Sequence, residues 1–288
     1  MIISQDERIQ LHWNLSKEEI TLGGALTLRA ECELISRICG QKTFNVFVTP
    51  GTNSIERIER LFFIVFNSSL LTFNLSLKAE NFRIYPDDFL PEDFQPESFS
   101  TLRLSRLWKT FDILPSLSWD IDVTNQARQY IEQFANGYIL VSLKNFKSDF
   151  PDSNARLDLW ISAMRKLNNI QDCKFLVVGE DNLSEVLPSH KFIVNLQTQE
   201  ISLQIQLAII SRSRLFIGTA SGMATPAILG SNPYTIYKHP KHHVDSIKQE
   251  VVESRFPFAQ ESQNIKICIP TADQIVADTL KQLDNLGL

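Results

Sequence analysis

Short apolar runs alternate with amphipathic segments through the second half of the chain. Runs of the length of a buried strand occur at 138–143, 174–178, 192–194, 215–217 and 234–237. Amphipathic stretches at 154–167, 201–210 and 271–286 predict helices. A short helix follows 215–217, either capped by Thr225 with Pro226 at its first position or starting earlier after Ser221. Alternating strands and helices predict a parallel sheet with helices on both faces.

The first half of the chain is less regular. Strands are predicted at 8–13, 43–48, 61–66 and 70–75, with a helix over 25–38 that ends near Gly40. The run 61–66 is far too short to cross a bilayer and is interpreted as a buried strand. Residues 78–123 mix prolines with acidic and aromatic residues, which predicts long connections with short helices and then a hinge at 122–133. We therefore predict an α/β protein with two domains, residues 1–130 and 131–288.

Composition narrows the classes of partner and compartment. The net charge of -5 over 288 residues gives no basic face for nucleic acid. The four cysteines form no C-x-x-C pair, which favours buried thiols in a reducing compartment over disulfides or zinc. The N-terminal residues lack the pattern of a signal peptide and no run is long enough for a transmembrane helix, so we expect a cytoplasmic protein. Contact with a membrane surface stays open.

The segment 214–230 is the most informative part of the sequence. An apolar strand runs into a turn of small residues, including Gly218, Ser221 and Gly222, and a short helix follows. Such a turn leaves backbone N–H groups uncovered beside a helix N-terminus, which favours an anion such as a phosphate. The alternative is that glycine and serine serve the geometry of a tight connection alone. Neither G-x-G-x-x-G nor the Walker pattern is present.

Other loops should lie beside this turn on one rim, the edge of the sheet formed by the carboxyl ends of the strands. Ligands of open α/β sheets bind beyond this edge. Lys144 and Lys147 follow the strand 138–143 and can hold a diphosphate, unless they are only solvated charges. Glu180, after Gly179, can accept hydrogen bonds from a ribose or a base, or it is an exposed carboxylate. The loop 238–243 holds three of the five histidines. Pro240 disfavours a metal site there, so the loop is either an exposed polar loop or an electropositive lip near the ligand.

Residues 207–222 and 227–233 together resemble a sequence block of the bacterial heptosyltransferases: helix, strand, D-S-G, helix, A-x-x-x-G-x-P, strand. The chain thus resembles glycosyltransferases of the GT-B type. This resemblance implies two Rossmann-like domains with parallel sheets that face a cleft. It also implies a nucleotide-diphosphate sugar donor bound by the C-terminal half, a glycan or glycolipid acceptor at the N-terminal half, and no metal or other cofactor. The predicted donor-site residues are Lys144, Lys147, Gly179, Glu180, Gly218, Thr219, Ser221, Gly222 and Met223.

The chain departs from that family pattern at two positions. Ala220 stands where the family has aspartate before Ser-Gly, and Gly24 stands where the family has the acid of L-G-D that is proposed as its base. No catalytic base can therefore be carried over. The open candidates are Glu18, Glu19, Asp87 and Asp88.

The predicted function is transfer of a sugar from a nucleotide-diphosphate donor without a metal. Two alternatives stay open. One is a catalytically silent nucleotide-sugar-binding protein or partner subunit, and the other is a nucleotide-sugar epimerase on the same fold.

Overall fold

The computed structural model describes residues 8–17, 19–89, 101–134, 137–145, 150–179, 187 and 190–287. The chain forms two compact units, Met1–Ile121 and Asp122–Leu288. The described residues of each unit build one sheet, and the strands of both sheets pair in parallel. The predicted α/β class with two Rossmann-like, parallel-sheet domains is confirmed.

Unit 1 has a four-stranded sheet of order β3-β2-β1-β4. Its elements are β1 (Ile9–Asn14), α1 (Leu22–Cys39), β2 (Thr43–Thr49), α2 (Ile55–Val65), β3 (Thr72–Ser76), β4 (Arg83–Tyr85) and α3 (Leu102–Phe111). The helix predicted over 25–38 is α1, which begins three residues earlier because Thr21 caps it and accepts a hydrogen bond from the N–H of Gly24.

Helix α1 is buried on nearly all sides, including three of its four charged residues, Arg29, Glu31 and Glu33. The Arg29 Nε donates to Glu33 Oε1 over 2.7 Å, and the Arg103 Nε of α3 donates to Glu31 over 2.9 Å. An unpaired charge at such a depth would be costly, so each carboxylate has an arginine partner. These pairs fix α1 as the central helix of unit 1 and tie α3 to it.

The strand predicted at 61–66 is wrong, because these residues belong to the end of helix α2 and the residue after it. Ser54 caps α2 by accepting a hydrogen bond from the N–H of Arg57. Ile58, Phe62 and Val65 recur at helical spacing and are buried, whereas Phe63 is 58% exposed. Six consecutive apolar residues fit both periodicities, and the cap upstream decides between them.

Two further predictions for the middle of the chain are corrected. Residues 83–85, predicted as part of a connection, form strand β4, which pairs with β1. The predicted hinge at 122–133 lies almost entirely in helix α4 (Ile121–Glu132). Neither element was visible in the sequence, since three residues carry no readable period and the polar surface of α4 resembles a linker.

Unit 2 has a six-stranded sheet of order β10-β9-β8-β5-β6-β7. After α4 its elements are β5 (Tyr138–Ser142), α5 (Leu157–Gln171), β6 (Lys174–Val178), β7 (Ile193–Asn195), α6 (Leu203–Ser211), β8 (Phe216–Thr219), α7 (Thr225–Ile228), β9 (Tyr234–Lys238), α8 (Val244–Glu250), β10 (Gln263–Ile267) and α9 (Ala272–Asn285). All five strands predicted for this half are present. Strand β10 and helix α8 were not predicted.

Strands β5 and β8 approach each other closely at the centre of this sheet. Gly218 pairs with Ser142, and a Cβ atom on Gly218 would lie 2.3 Å from the Ser142 carbonyl oxygen. Just beyond this pair, the N–H of Lys144 donates to Thr219 Oγ1 over 2.6 Å. We call this contact between β5 and β8 the join. It requires glycine at 218 for packing, and it fixes the backbone after β5 against the end of β8.

Among the described residues, no helix combines the length and the apolar character needed to cross a bilayer.

Replacement of Phe62 by alanine tests the assignment of α2. We expect Phe62→Ala to lower the free energy of unfolding of unit 1 by about 3–5 kcal/mol, because it leaves a cavity. Its neighbour is the control: Phe63→Ala should cost much less, because the Phe63 side chain is 58% exposed and leaves no core cavity. Denaturant unfolding of the full chain measures both, and equal costs would contradict the helix, since a doubly buried strand predicts them.

Replacement of Thr219 by valine tests the join between β5 and β8. The variant keeps the shape of the side chain but removes the acceptor of the buried Lys144 N–H. We expect a loss of about 1–3 kcal/mol in the free energy of unfolding, because an unsatisfied buried donor is costly. Thr219→Ser keeps the hydroxyl and should recover most of that loss. Equal stability of the valine and serine variants would show that the hydrogen bond does not hold the join.

Candidate anion-binding site

The carboxyl ends of β5, β8 and β9 meet at one edge of the unit 2 sheet, because these three strands are parallel neighbours. Lys144 follows β5, the turn 220–224 follows β8, and Lys238 is the last residue of β9. The loops that the sequence placed on one rim thus start at adjacent strands. Ligands of open α/β sheets bind at this edge.

The turn after β8 holds backbone donors that the protein does not use. The N–H of Ala220 donates to the Tyr237 carbonyl oxygen over 2.9 Å, and the N–H of Ala224 donates to the Ser221 carbonyl oxygen over 3.0 Å. Within the described ranges, the N–H groups of 221–223 between them have no acceptor. Ser221 and Gly222 are partly exposed. An anion that reaches this turn therefore finds three consecutive donors.

The side chain of Ser221 adds a fourth polar atom to the turn. Its Oγ atom is buried and has no hydrogen-bond partner in the described part of the chain. Buried hydroxyls are rarely left in this state, because the missing hydrogen bond costs free energy. The Oγ atom does not cap the helical turn that follows it. Ser221 is therefore in position to bind a group that the described residues do not supply.

The start of the following helix differs from the first prediction. A 3-10 turn, Gly222–Ala224, begins directly after Ser221 and runs into α7, so Thr225 is the first residue of α7 and not its N-cap. The alternative start after Ser221 is closer to the structure, although the serine side chain makes no cap. Because α7 has only 4 residues, its dipole adds little. The donors of the turn itself must hold an anion.

Lys144 is buried beside this turn, with 5% of its surface exposed. Its ammonium donates to Ser153 Oγ over 2.5 Å, and the Ser153 hydroxyl donates to the Phe150 carbonyl oxygen. The N–H of Ala155 closes the segment by donating to the Lys144 carbonyl oxygen over 2.8 Å. Hydrogen bonds of its ammonium and of its carbonyl oxygen thus hold the lysine at the strand end, so it is not a freely moving surface charge.

Lys238 brings a second positive charge to the same edge. Burial lowers the pKa of its ammonium to about 8, and the positive charge of Lys144 acts in the same direction. The negative charge of buried Glu250 opposes this shift. No carboxylate lies within salt-bridge distance of Lys238 in the described residues. Two buried lysines therefore lie close enough at this edge for the charge of Lys144 to lower the pKa of Lys238.

The histidine loop lies against this pair of lysines. Burial, followed by the charges of Lys144 and Lys238, lowers the pKa of His242 to about 4. The pKa of His239 is lowered as well, chiefly by burial. The ring of Phe150 stacks on His242 with centroids 5.1 Å apart. His242 is therefore uncharged at neutral pH, and the electropositive lip stays a prediction.

The predicted donor-site residues have different surroundings. Lys144 and the described part of the β8 turn, Gly218, Thr219, Ser221, Gly222 and Met223, lie at adjacent strand ends. Gly218 and Thr219 serve the join to β5, and Met223 is buried. Lys147 and Glu180 lie outside the described residues. Lys238 and His242 lie near Lys144, and this proximity of residues distant in the sequence could not be predicted from it.

Gly179 has a structural role in its surroundings. Its N–H donates to Gln206 Oε1 over 3.1 Å, and its carbonyl oxygen accepts from Gln197 Nε2 over 2.5 Å. Both backbone groups are therefore used within the protein. The described residues contain no group of three or more histidine, cysteine or acidic side chains placed to hold a metal ion.

Comparisons with known proteins were made for the whole chain. No protein-family model and no curated protein matches it. Among solved structures, the glycosyl transferase family 9 protein from Veillonella parvula DSM 2008 has a TM-score of 0.61 at 10% identity, with 97% of this chain and 98% of that chain covered. E. coli ADP-heptose lps heptosyltransferase II has a TM-score of 0.52 at 10% identity, with 97% and 98% covered.

A third similar structure is the dodecameric iron-containing heptosyltransferase TibC of enterotoxigenic E. coli H10407, in complex with ADP-D-beta-D-heptose. It has a TM-score of 0.51 at 12% identity, with 99% of this chain and 77% of that chain covered. Identities this low establish the fold. The fold of the chain is that of heptosyltransferase-like GT-B enzymes, as the resemblance in the sequence predicted.

Proposed function

We propose that the chain is a glycosyltransferase that binds a nucleotide-diphosphate sugar at the edge of the unit 2 sheet. The observation that carries this proposal is the set of unused donors at 221–223, together with the buried Ser221 Oγ. Lys144 and Lys238 lie beside them at the ends of β5 and β9. A diphosphate would accept hydrogen bonds from these donors and place its negative charge beside the two ammonium groups.

The same groups suit the chemistry of sugar transfer. When the bond between the anomeric carbon and the diphosphate breaks, negative charge develops on the leaving oxygen. Preformed amide donors and ammonium groups in a site of low polarity stabilise such charge effectively. Two lysines can therefore do what a divalent cation does in other enzymes. We propose a reaction without a metal on this ground.

The class of donor is supported by the proteins with a similar fold. Two of them are named for ADP-heptose or bound to ADP-D-beta-D-heptose, so ADP-heptose is the first donor to test. Ala220 stands in place of the aspartate of the heptosyltransferase block, and its N–H is used by Tyr237. No carboxylate can contact the donor from that position. We therefore propose the nucleotide-diphosphate sugar as a class, with a glycan or glycolipid as the acceptor.

Donor binding is tested by thermal unfolding of the full chain with ADP-heptose and with UDP-, GDP- and CMP-sugars. A donor at 100 times its Kd should stabilise the protein by about 2.7 kcal/mol. Gly222→Arg should abolish this effect, because its side chain fills the space in front of the amides. Ser231→Arg is the matched control, since Ser231 is exposed beside the opposite end of β9. Stabilisation that survives Gly222→Arg would refute the assignment of the turn.

Binding and transfer are separated by a second measurement. Release of nucleoside diphosphate is followed with the donor that binds, with and without a pool of glycans and glycolipids. A transferase releases the diphosphate faster when its acceptor is present. Tight binding without any turnover would favour the catalytically silent binding protein instead.

The pKa of Lys238 makes donor binding depend on pH. The free ammonium loses its proton above a pH of about 8, and the diphosphate binds the charged form. The apparent Kd should therefore rise about tenfold or more between pH 7 and pH 9.5, because it scales with the charged fraction. Calorimetric titration measures it. Lys238→Arg should bind equally well at both pH values, and Lys238→Met weakly at both. A wild-type Kd that is constant over this range would exclude Lys238 from the site.

A further inference from the structure

A second group of polar side chains lies at the carboxyl-end edge of the unit 1 sheet. His12 is in β1, Thr49 ends β2, and Asp87 lies two residues beyond β4. Strands β2 and β4 are the two neighbours of β1, so three adjacent strands bring these residues together. They are far apart in sequence and meet only through the parallel pairing of the strands.

Each ring nitrogen of His12 has a partner. The Nδ1 atom contacts Asp87 Oδ2 at short range, and the Nε2 atom lies 2.9 Å from Thr49 Oγ1. A carboxylate only accepts hydrogen bonds, so Nδ1 carries the proton. In the neutral ring, this tautomer leaves the lone pair on Nε2, which then accepts from the Thr49 hydroxyl. The geometry thus holds His12 as a base whose free electron pair already faces a hydroxyl group.

The orientation of the His12 ring is also fixed by its neighbours. It stacks on Phe47, its register partner in β2, with centroids 4.8 Å apart and an angle of 18° between the rings. The side chain is 11% exposed, while that of Asp87 is 47% exposed. Burial on this scale removes water from the base without closing it off. A carboxylate, a fixed tautomer and a stacked ring together define a pre-organised proton acceptor.

The other carboxylates considered as bases do not share these features. Asp88 Oδ2 accepts the Ile84 N–H over 2.6 Å and so closes the turn after β4. Two further carboxylates of unit 1, Glu31 and Glu33, were not candidates and are paired with arginines inside the core. Glu19 is exposed, and Glu18 lies outside the described residues. Asp87 is the described candidate that orients another titratable side chain.

We propose that His12 is the catalytic base that takes the proton of the acceptor hydroxyl, and that Asp87 is its positioning residue. The inference rests on the proposed function. The acceptor hydroxyl takes the place of the Thr49 hydroxyl at Nε2. Its proton moves to Nε2 as its oxygen forms a bond to the anomeric carbon of the donor. The bond from that carbon to the diphosphate oxygen breaks, and the electron pair leaves with the diphosphate. Asp87 stabilises the imidazolium.

The first test replaces His12 by asparagine in the full chain. We expect kcat for transfer to fall by about 10²–10⁴-fold, which is the usual contribution of a positioned base. The Kd for the donor, measured by calorimetry, should not change. A kcat within threefold of wild type would overturn the assignment of His12. Wild-type protein that neither binds nor transfers any nucleotide sugar would instead overturn the proposed function.

A second test concerns Asp87, which is half-exposed and so can be replaced without disturbing the core. Asp87→Asn should lower kcat at least about tenfold at an unchanged KM for the donor, because the charge that stabilises the imidazolium is lost. Asp88→Asn is the matched control one residue further on, and its kcat should stay within threefold of wild type. Equal effects of the two substitutions would overturn the positioning role.

Two further measurements test the role of His12 without relying on a loss of activity, which a structural role could also cause. Nitrogen-15 NMR of the wild-type protein should show the His12 proton on Nδ1, and a proton on Nε2 would overturn the proposal even without turnover. Added imidazole should restore part of the kcat of His12→Gly, which a purely structural histidine would not allow.

Discussion

The close approach of β8 to β5 is the constraint on which the proposed donor site depends. Gly218 has no Cβ, so the Ser142 carbonyl oxygen can come within a distance that any other residue would block. This approach places Thr219 Oγ1 under the Lys144 N–H and leads the chain into the turn at the same level as the lysine. The glycine therefore acts on function through packing. Its role is to set the distance between two strand ends, and the residues after it supply the donors.

The edge that results is unfavourable for the folded protein when no anion is bound. Lys144 and Lys238 are buried near each other, and the lowered pKa values of Lys238, His239 and His242 report their repulsion and desolvation. The unpartnered Ser221 Oγ adds to this cost. Binding sites commonly carry such local instability, because groups that are satisfied by the ligand cannot also be satisfied by the protein. On this view, the two lysines and the serine serve one and the same ligand.

Much of the fold could be predicted from the sequence, and the wrong predictions have physical causes. The strands of unit 2 are buried on both faces, so each appears as a short apolar run between helical segments. The run 61–66 has the same appearance, yet the Ser54 cap makes it helical. The turn 218–223 was recognised because small residues stand out locally. Lys238 and His12 were not ranked as site residues, since their importance comes from contacts with residues distant in sequence, such as Lys144 and Asp87.

A catalytic base could not be assigned from the sequence for the same reason, and the fold brings a candidate together. The heptosyltransferase pattern places an acid where this chain has Gly24, and Gly24 lies in the first turn of α1 with its N–H donated to the Thr21 side chain. That position offers no proton acceptor. The parallel order of β2, β1 and β4 nevertheless brings a histidine, a hydroxyl and a carboxylate together at one sheet edge. On the proposal for His12, the base of this chain lies on a strand, whereas the heptosyltransferase pattern has its acid in the loop that follows. Both positions belong to the carboxyl-end edge of the same sheet, where strand order alone decides which side chains meet.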